Sequence, residues 1–359
     1  MLQLNAISLI QFKNYHHRRF NFDQKIISIT GNNGVGKTNL LDAIYYLCFA
    51  KSYFNTQESL NILHDHEGFR LEGDFLKNEK PESIHCTYKR GKKEIILNGT
   101  PYHRFSRHLG HFPAVIVTPD DAILIGGGSE QRRRFLDTLL TQIDITYLDD
   151  LIAYQKVLQQ RNSLLKNTAP YRSPDQELLS VFDTQLSLHG TRIFERRNTF
   201  LPSLVDKVKS FYRQISGTEE KAGLSYHSSL LETPFEELLQ RNRQRDIQLQ
   251  RTTDGIHRDD LPFLLNGYPM KQTASQGQRK NFLFALKLAQ YDLLRSYKNF
   301  PPLLLLDDLF EKLDHTRITQ LISLISGPEF GQVFITDTEE SRLKDAFKTD
   351  RQAAQVIRL

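Results

Sequence analysis

The segment Gly31-Asn32-Asn33-Gly34-Val35-Gly36-Lys37-Thr38 sits between the apolar run Lys25 to Thr30 and an apolar helical pattern that starts at Thr38. That order predicts a buried strand, a tight loop and a helix whose N-terminus faces the loop. The spacing G-x-x-x-x-G-K-T lets successive backbone N–H groups close around a phosphate. It sets the Lys37 ammonium beside the β/γ oxygens and offers the Thr38 hydroxyl to Mg²⁺. The positive end of the helix dipole acts in the same direction. The chain is therefore expected to be an α/β P-loop protein that binds ATP or GTP. Its nucleotide ligands would be Gly31, Asn32, Asn33, Gly34, Val35, Gly36, Lys37 and Thr38, with Lys37 also needed for the chemistry.

The rest of the chain narrows the setting. At 359 residues it can bury one large core or two lobes without disulfides or structural metals. Cys48 and Cys86 are far apart and match no C-x-x-C pattern, so both are expected to be packing residues in a reducing, cytoplasmic compartment. The opening MLQLNAISLIQF lacks a basic region followed by a long apolar one, and no apolar run is long enough to span a bilayer. A net charge of +5 favours an anionic partner only weakly. Basic residues recur in clusters, at Lys89, Arg90, Lys92 and Lys93, at Arg132 to Arg134, at Arg192, Arg196 and Arg197, and at Arg241, Arg243 and Arg245. Each cluster is either a solvated face or a binding site. His16-His17 and His64-x-His66 lack a ligand set at useful spacing and read as surface histidines.

Along the chain the pattern divides into residues 1–130, strand-rich and carrying the P-loop; 131–248, mainly helical; and 249–359, which returns to α/β. Asn98-Gly99 and Asn266-Gly267 each follow an apolar run and predict type I′ hairpins. Leu151, Tyr154, Leu158, Arg161 and Leu165, then Leu178, Phe182, Leu186, Ile193 and Phe194, predict an antiparallel helical arm broken at TAPYRSP. Thr233 and Glu236 around Pro234 predict a capping box.

Two further segments carry chemistry. PPLLLLDD predicts a central parallel strand, Leu303 to Leu306, that ends in acid. Asp307 is placed to hold the Mg²⁺ shell and Asp308 to orient or deprotonate an attacking water. Asp314 is either a further acid of the site or the N-cap of the next helix. Upstream, Ser275-Gln276-Gly277-Gln278 opens a long amphipathic helix, where a hydroxyl, free N–H groups and the dipole form a second phosphate-seeking surface.

Ser275 to Gln278 resembles the signature motif of ABC-type ATPases, in the variant of their DNA-repair and chromosome-organising branches. Over nearly the whole chain the sequence resembles the RecF family of bacterial recombination and gap-repair proteins. The likeness is carried by Phe12-Lys13-Asn14-Tyr15, by Pro119-Asp120-Asp121 with Gly126 and Arg132-Arg133-Arg134-Phe135-Leu136-Asp137, and by His257-Arg258-Asp259-Asp260. Ser275 to Gln278 and Leu303 to Asp308 complete the order. The chain departs from the family at Gly126-Gly127-Gly128, Ile256 and Lys312. Asp337 stands where ABC enzymes place a histidine, and no Q-loop glutamine is evident near Thr118.

The resemblance implies an ABC-type P-loop ATPase head, a mixed sheet with flanking helices, with an inserted helical lobe. It implies ATP and Mg²⁺ bound between two copies, Ser275, Gly277 and Gln278 completing the neighbour's site, and a homodimer that forms on ATP. It further implies clamping of double-stranded DNA or single/double-strand junctions, slow hydrolysis as a release step, and RecR-like and RecO-like partners. By resemblance Lys13 lies near the phosphates; the alternative is a solvated hairpin lysine. Arg132 to Arg134 either hold DNA backbone or support packing. The competing functions are another short-armed SMC-like ATPase, a transporter's ATPase subunit, and an ATP-gated scaffold without turnover.

Overall fold

The computed structural model describes residues 1–167, 174–308, 315–339 and 354–359. Lys312, Asp314 and most of the TAPYRSP break lie outside them. The chain forms two compact units, one of residues 1–121, 214–217 and 284–359, the other of residues 122–213 and 218–283.

The first unit holds two sheets. Strands β1 (Leu2–Phe12), β2 (Tyr15–Asn21), β4 (Gly68–Lys77), β5 (Lys80–Lys89), β6 (Lys92–Leu97) and β7 (Thr100–Pro101) form an antiparallel sheet in the order β2-β1-β4-β5-β6-β7. Strands β3 (Ile26–Thr30), β8 (Ala114–Val117), β12 (Leu303–Leu306), β13 (Val333–Asp337) and β14 (Ala354–Arg358) form a parallel sheet in the order β14-β3-β13-β12-β8. β3, β8, β12 and β13 are buried along their whole length, which is why β8 and β12 read as unbroken apolar runs and β3 and β13 as mainly apolar ones rather than as alternating strands. The helix Lys37–Phe49 is buried on nearly every side from Leu40 onward and packs against strands of both sheets. It lacks a polar stripe because no face of it meets solvent. Cys48 and Cys86 are buried; burial pushes the Cys86 thiol up to about 12 and raises Cys48 further, so neither forms a thiolate at neutral pH.

The β6–β7 turn at Asn98-Gly99 has φ of 50° and 78°. The turn at Asn266-Gly267, with φ of 53° and 83°, joins β10 (Phe263–Leu265) to β11 (Tyr268–Pro269) in the second unit. Both are type I′ in sign, as Asn-Gly demands.

The second unit carries the helices Ser129–Ile143, Ile145–Lys166 and the greater part of the 41-residue helix Gln176–Ser216, with a small sheet in the order β11-β10-β9, where β9 is Ala222–Leu224. The helical arm forms, but its buried face differs from the apolar count. Leu179, Asp183, Leu186, Gly190, Ile193 and Arg197 are inward, whereas Leu178 is 40% exposed and Phe182 and Phe194 are only partly buried. The 3.6-residue stripe runs through an aspartate, a glycine and an arginine, which a count of apolar residues skips. Arg161 pairs with Asp183 at 2.7 Å and with Asp246 at 2.8 Å, all three buried. The capping box at Thr233 and Glu236 does not form. The helix starts at Phe235 with Pro234 as its cap and no side-chain cap bond, because the Thr233 N–H is already given to the Ser229 carbonyl of the preceding turn.

Candidate nucleotide site

The loop after β3 takes the backbone path its glycines allow. Gly36 has φ of 114°, and a Cβ there would fall 2.6 Å from the Asn14 amide. Lys37 Nζ donates to the carbonyls of Gly31 at 2.7 Å and Asn32 at 2.9 Å, which holds the ammonium over the loop. The helix that follows has no side-chain cap at Gly36, so its leading N–H groups are left to a ligand.

The loop is braced from the β1–β2 turn, which the sequence reading connected with the site only through Lys13. Asn14 Nδ2 donates to the Val35 carbonyl at 3.0 Å and its Oδ1 accepts from Asn39 at 2.8 Å. The Tyr15 hydroxyl donates to the Gly36 carbonyl at 3.1 Å. Burial pushes the Tyr15 phenol up to about 12 against the opposing charge of Arg18, so it stays a donor. Lys13 is not solvated. Its side chain is 10% exposed, and its ammonium lies 2.6 Å from the buried Asp42 carboxylate of the P-loop helix, which also accepts from Ser52 and the Tyr53 N–H.

The acidic strand arrives where the loop needs it. The Thr38 hydroxyl donates to Asp307, with oxygens 3.0 and 3.1 Å away. Thr336 Oγ1, at the end of β13, donates to Asp307 at 2.9 Å and accepts from the Asp308 N–H at 2.8 Å. Burial, then the Asp308 charge, raise the Asp307 pKa above its ordinary value, while the Thr336 and Thr38 hydrogen bonds and the Lys37 charge pull it back. Asp308 adopts φ of 47°, and among the described residues its buried Oδ1 has no partner. Two adjacent carboxylates, a threonine hydroxyl and an unsatisfied buried oxygen are a donor set suited to a hard divalent cation.

At the end of β8, beside β12, Asp121 accepts from the Thr118 N–H at 2.8 Å, from the Tyr53 hydroxyl at 2.5 Å and from Lys287 at 2.8 Å. That network fills the stretch in which no glutamine was evident. Asp337 is buried and accepts from the Glu339 N–H at 2.8 Å.

The signature segment belongs to the second unit. Ser275 N–H donates to Gln278 Oε1 at 2.7 Å and Gln278 N–H donates to Ser275 Oγ at 3.2 Å, a reciprocal cap on the helix Gln276–Lys298. Gln278 Nε2 is held by Glu220 at 2.6 Å. Ser275 is exposed and Gly277 partly so. The arginines divide. Arg132 is buried and bidentate on Asp260, Arg133 donates to the Asp259 carbonyl, and only Arg134 stands in solvent, paired with Glu130. Arg197, read from sequence as part of a surface cluster, is 1% exposed and pairs with Asp137 at 2.8 Å and Asp259 at 2.9 Å.

The family model for the RecF/RecN/SMC N terminal domain matches residues 3–356. The DNA replication and repair protein RecF of Flavobacterium johnsoniae is 43% identical over 359 residues, covering 100% of both chains. That of Bacteroides thetaiotaomicron is 43% identical over 342 residues, covering 95% of this chain and 92% of its own. The chain belongs to the RecF family. A solved structure of the recombination mediator protein RecF with ATP in the RecFOR pathway is 32% identical, with a TM-score of 0.88 over 95% of this chain and 93% of that one. The Smc head domain of Pyrococcus furiosus, 16% identical with a TM-score of 0.57 over 96% of this chain and 92% of its own, shares the fold. The RecF architecture is thus the ABC-type ATPase head expected from the P-loop, signature and acidic-strand motifs together. No helix among the described residues is long and apolar enough to cross a membrane.

Proposed function

We propose that this chain is an ATPase of DNA replication and repair that dimerises on ATP, clamps double-stranded DNA, including single/double-strand junctions, and releases it on slow hydrolysis. The observation that carries this reading is the convergence of Thr38, Asp307 and Thr336 beside Asp308, at the mouth of the P-loop. It is supported by the relatives named for DNA replication and repair and by the RecF structure solved with ATP.

The loop N–H groups and the Lys37 ammonium bind and orient the β- and γ-phosphates. Lys13 is charge-paired with Asp42 of the P-loop helix and ties the β1–β2 turn to it. Thr38 and Asp307 would hold Mg²⁺, which neutralises charge on the phosphate oxygens when bound. Asp308 accepts a proton from, or orients, the attacking water through the oxygen that has no partner among the described residues. Ser275, Gly277 and Gln278 close the γ-phosphate of a second copy, and the reciprocal Ser275–Gln278 bonds preorganise that helix end. ATP then favours the closed dimer because only there does it gain both surfaces. DNA is held through its phosphates and with little base preference. RecR-like and RecO-like proteins are the expected partners, in keeping with the RecFOR pathway of the structural neighbour.

Sedimentation of the protein with ATP, Mg²⁺ and duplex DNA tests the proposal. A monomer that becomes a DNA-bound dimer only with nucleotide supports it. A size indifferent to ATP, or DNA binding equal without ATP, overturns it, and turnover measured with and without DNA separates an ATPase from a scaffold.

A further inference from the structure

The signature segment ends at Gln278, yet the residue that fixes this glutamine lies 58 positions upstream. Gln278 Nε2 donates to Glu220 Oε1 at 2.6 Å, while the other Glu220 oxygen accepts from the Tyr212 hydroxyl at 2.7 Å and from the Thr218 hydroxyl at 3.1 Å. The carboxylate is thus tied on both sides. Tyr212 is buried near the end of the helix Gln176–Ser216, with its ring 6.4 Å from that of Phe282 on the signature helix. On the strand side the neighbouring Lys221 N–H donates to Asn266 Oδ1 at 2.9 Å, and the Asn266 N–H returns a bond to the Lys221 carbonyl at 2.8 Å. Glu220 is therefore placed by the fold before Gln278 reaches it. The Tyr212 hydrogen bond leads the contacts that hold the Glu220 carboxyl below its ordinary pKa, so at neutral pH it is ionised and can only accept. That decides which way the Gln278 amide faces. With Nε2 drawn to Glu220, Oε1 turns to the Ser275 N–H, 2.7 Å away. The reverse orientation would set an NH₂ donor against the Ser275 N–H donor and break the reciprocal cap. In the observed one, Ser275 Oγ accepts from the Gln278 N–H, which leaves the hydroxyl proton for an acceptor outside the helix.

We propose that Glu220 is a positioning residue of the two-copy nucleotide site: by fixing the Gln278 amide it holds the Ser275 hydroxyl as a donor toward the γ-phosphate bound by the second copy. The inference rests on the two-copy reading and deepens it by naming a residue outside the signature on which that site depends. Glu220 acts through Gln278, since a carboxylate facing the γ-phosphate directly would repel it. Donors already oriented before the nucleotide arrives lose no ordering cost when the two copies close, which is where the advantage of a fixed amide lies. A glutamine in position 220 could still offer its carbonyl oxygen to Gln278, because the Tyr212 and Thr218 hydroxyls can turn to accept from its NH₂. A lysine could not. It would draw Gln278 Oε1 toward itself and turn the amide donor onto Ser275.

The test compares Glu220→Lys, Glu220→Ala and Glu220→Gln with wild type in the full chain, by two measurements. Hydrogen exchange without nucleotide reads the cap itself: Glu220→Lys and Glu220→Ala are expected to speed exchange in Ser275 to Gln278 by about tenfold, with Ala222 to Leu224 unchanged and Glu220→Gln close to wild type. Sedimentation with ATP and Mg²⁺ reads the site. Glu220→Lys is expected to raise the dimer dissociation constant by about tenfold or more and Glu220→Gln by less than about threefold, while ATP binding by the monomer is unchanged in each. Exchange in Ser275 to Gln278 that stays at the wild-type rate in Glu220→Lys and Glu220→Ala overturns the positioning role. So does faster exchange spread equally over Ala222 to Leu224, which would make Glu220 a general support of the fold, and so does a Glu220→Gln as defective as Glu220→Ala. Ser275→Arg is the reference for the underlying reading. If it fails to dimerise while Glu220→Lys dimerises like wild type, the two-copy site stands and Glu220 has no part in it. If Ser275→Arg itself dimerises like wild type, the two-copy reading fails and the role of Glu220 falls with it.

Discussion

Thr38 and Asp307, 269 residues apart in sequence, meet through a hydrogen bond of 3.0 Å between hydroxyl and carboxylate. The bond fastens the start of the P-loop helix to the end of β12, so that loop and acidic strand share one site. It also leaves a carboxylate buried beside a second one, and that has a measurable cost.

Burial and the neighbouring Asp308 raise the Asp307 pKa. A raised carboxyl contributes stability that is complete below the unfolded-chain value of about 3.9 and is lost as pH rises through the folded value. The nucleotide-free wild type should therefore lose ground to Asp307→Asn as pH rises from about 4 to 7, while the variant loses hydrolysis. Thermal melts at the two ends of that range check it. A gap in melting temperature that does not change with pH would mean that the buried charge is not its source.

Lys37→Ala should weaken ATP binding and lower turnover by at least about a hundredfold, since it removes a preorganised cation at the phosphates. Unchanged turnover would sink the site assignment.

Asp308→Asn isolates chemistry from folding. Its φ of 47° lies in the left-handed region, which asparagine enters as easily as aspartate, so the backbone is not strained by the exchange. The amide cannot take a proton from water. ATP binding should persist, hydrolysis should fall by about a hundredfold or more, and the closed dimer should accumulate. Wild-type turnover in the variant would make Asp308 structural.

The P-loop and the pair Asp307-Asp308 were legible in sequence because each is a contiguous motif at the end of an apolar strand. Thr336, Asn14 and Tyr15 were not, because their role comes from register: β13 lies beside β12, and the β1–β2 turn lies against Val35 and Gly36. Thr336 ends an apolar strand, as Asp307 follows one, and that parallel was the available signal. Thr233 and Glu236 had the right spacing for a cap but lost the competition for backbone donors to an adjacent turn. Arg197 shows the opposite limit. Composition reads an arginine in a basic run as solvated, whereas the stripe of its helix turns it inward onto Asp137 and Asp259.

That burial makes Arg197 costly to remove. Burial opposes its charge, but the acidic surroundings, with the Asp137 and Asp259 carboxylates, outweigh burial and hold its pKa well above the ordinary value. Arg197→Ala leaves two carboxylates without their cation and should destabilise the protein by about 3–5 kcal/mol. Urea unfolding followed by helical circular dichroism measures this. A loss below about 1 kcal/mol would show the network to be solvated and the pair to be worth no more than a surface one.

Ser275 decides between a P-loop enzyme that works alone and one whose site is completed by a second copy. Its hydroxyl already accepts from Gln278, so Ser275→Ala removes a cap worth about 1 kcal/mol and measures the structural share of the residue. Ser275→Arg adds bulk and positive charge at the positive end of the helix Gln276–Lys298, which opposes both the dipole and a close approach of phosphate. If the segment serves the neighbour's nucleotide, Ser275→Arg should bind ATP nearly as wild type, because Lys37 and Thr38 are untouched, yet fail to dimerise. Ser275→Ala should dimerise with only modest loss. Mixing Ser275→Arg with Lys37→Ala then creates one composite site, an intact P-loop from the first variant facing an intact signature from the second. ATPase activity should partly return in the mixture, provided one working site suffices for hydrolysis, although each variant alone is inactive. Sedimentation across protein concentrations with ATP is the deciding measurement. Dimerisation of Ser275→Arg at the wild-type concentration dependence would leave Ser275 as a helix cap and remove the two-copy site.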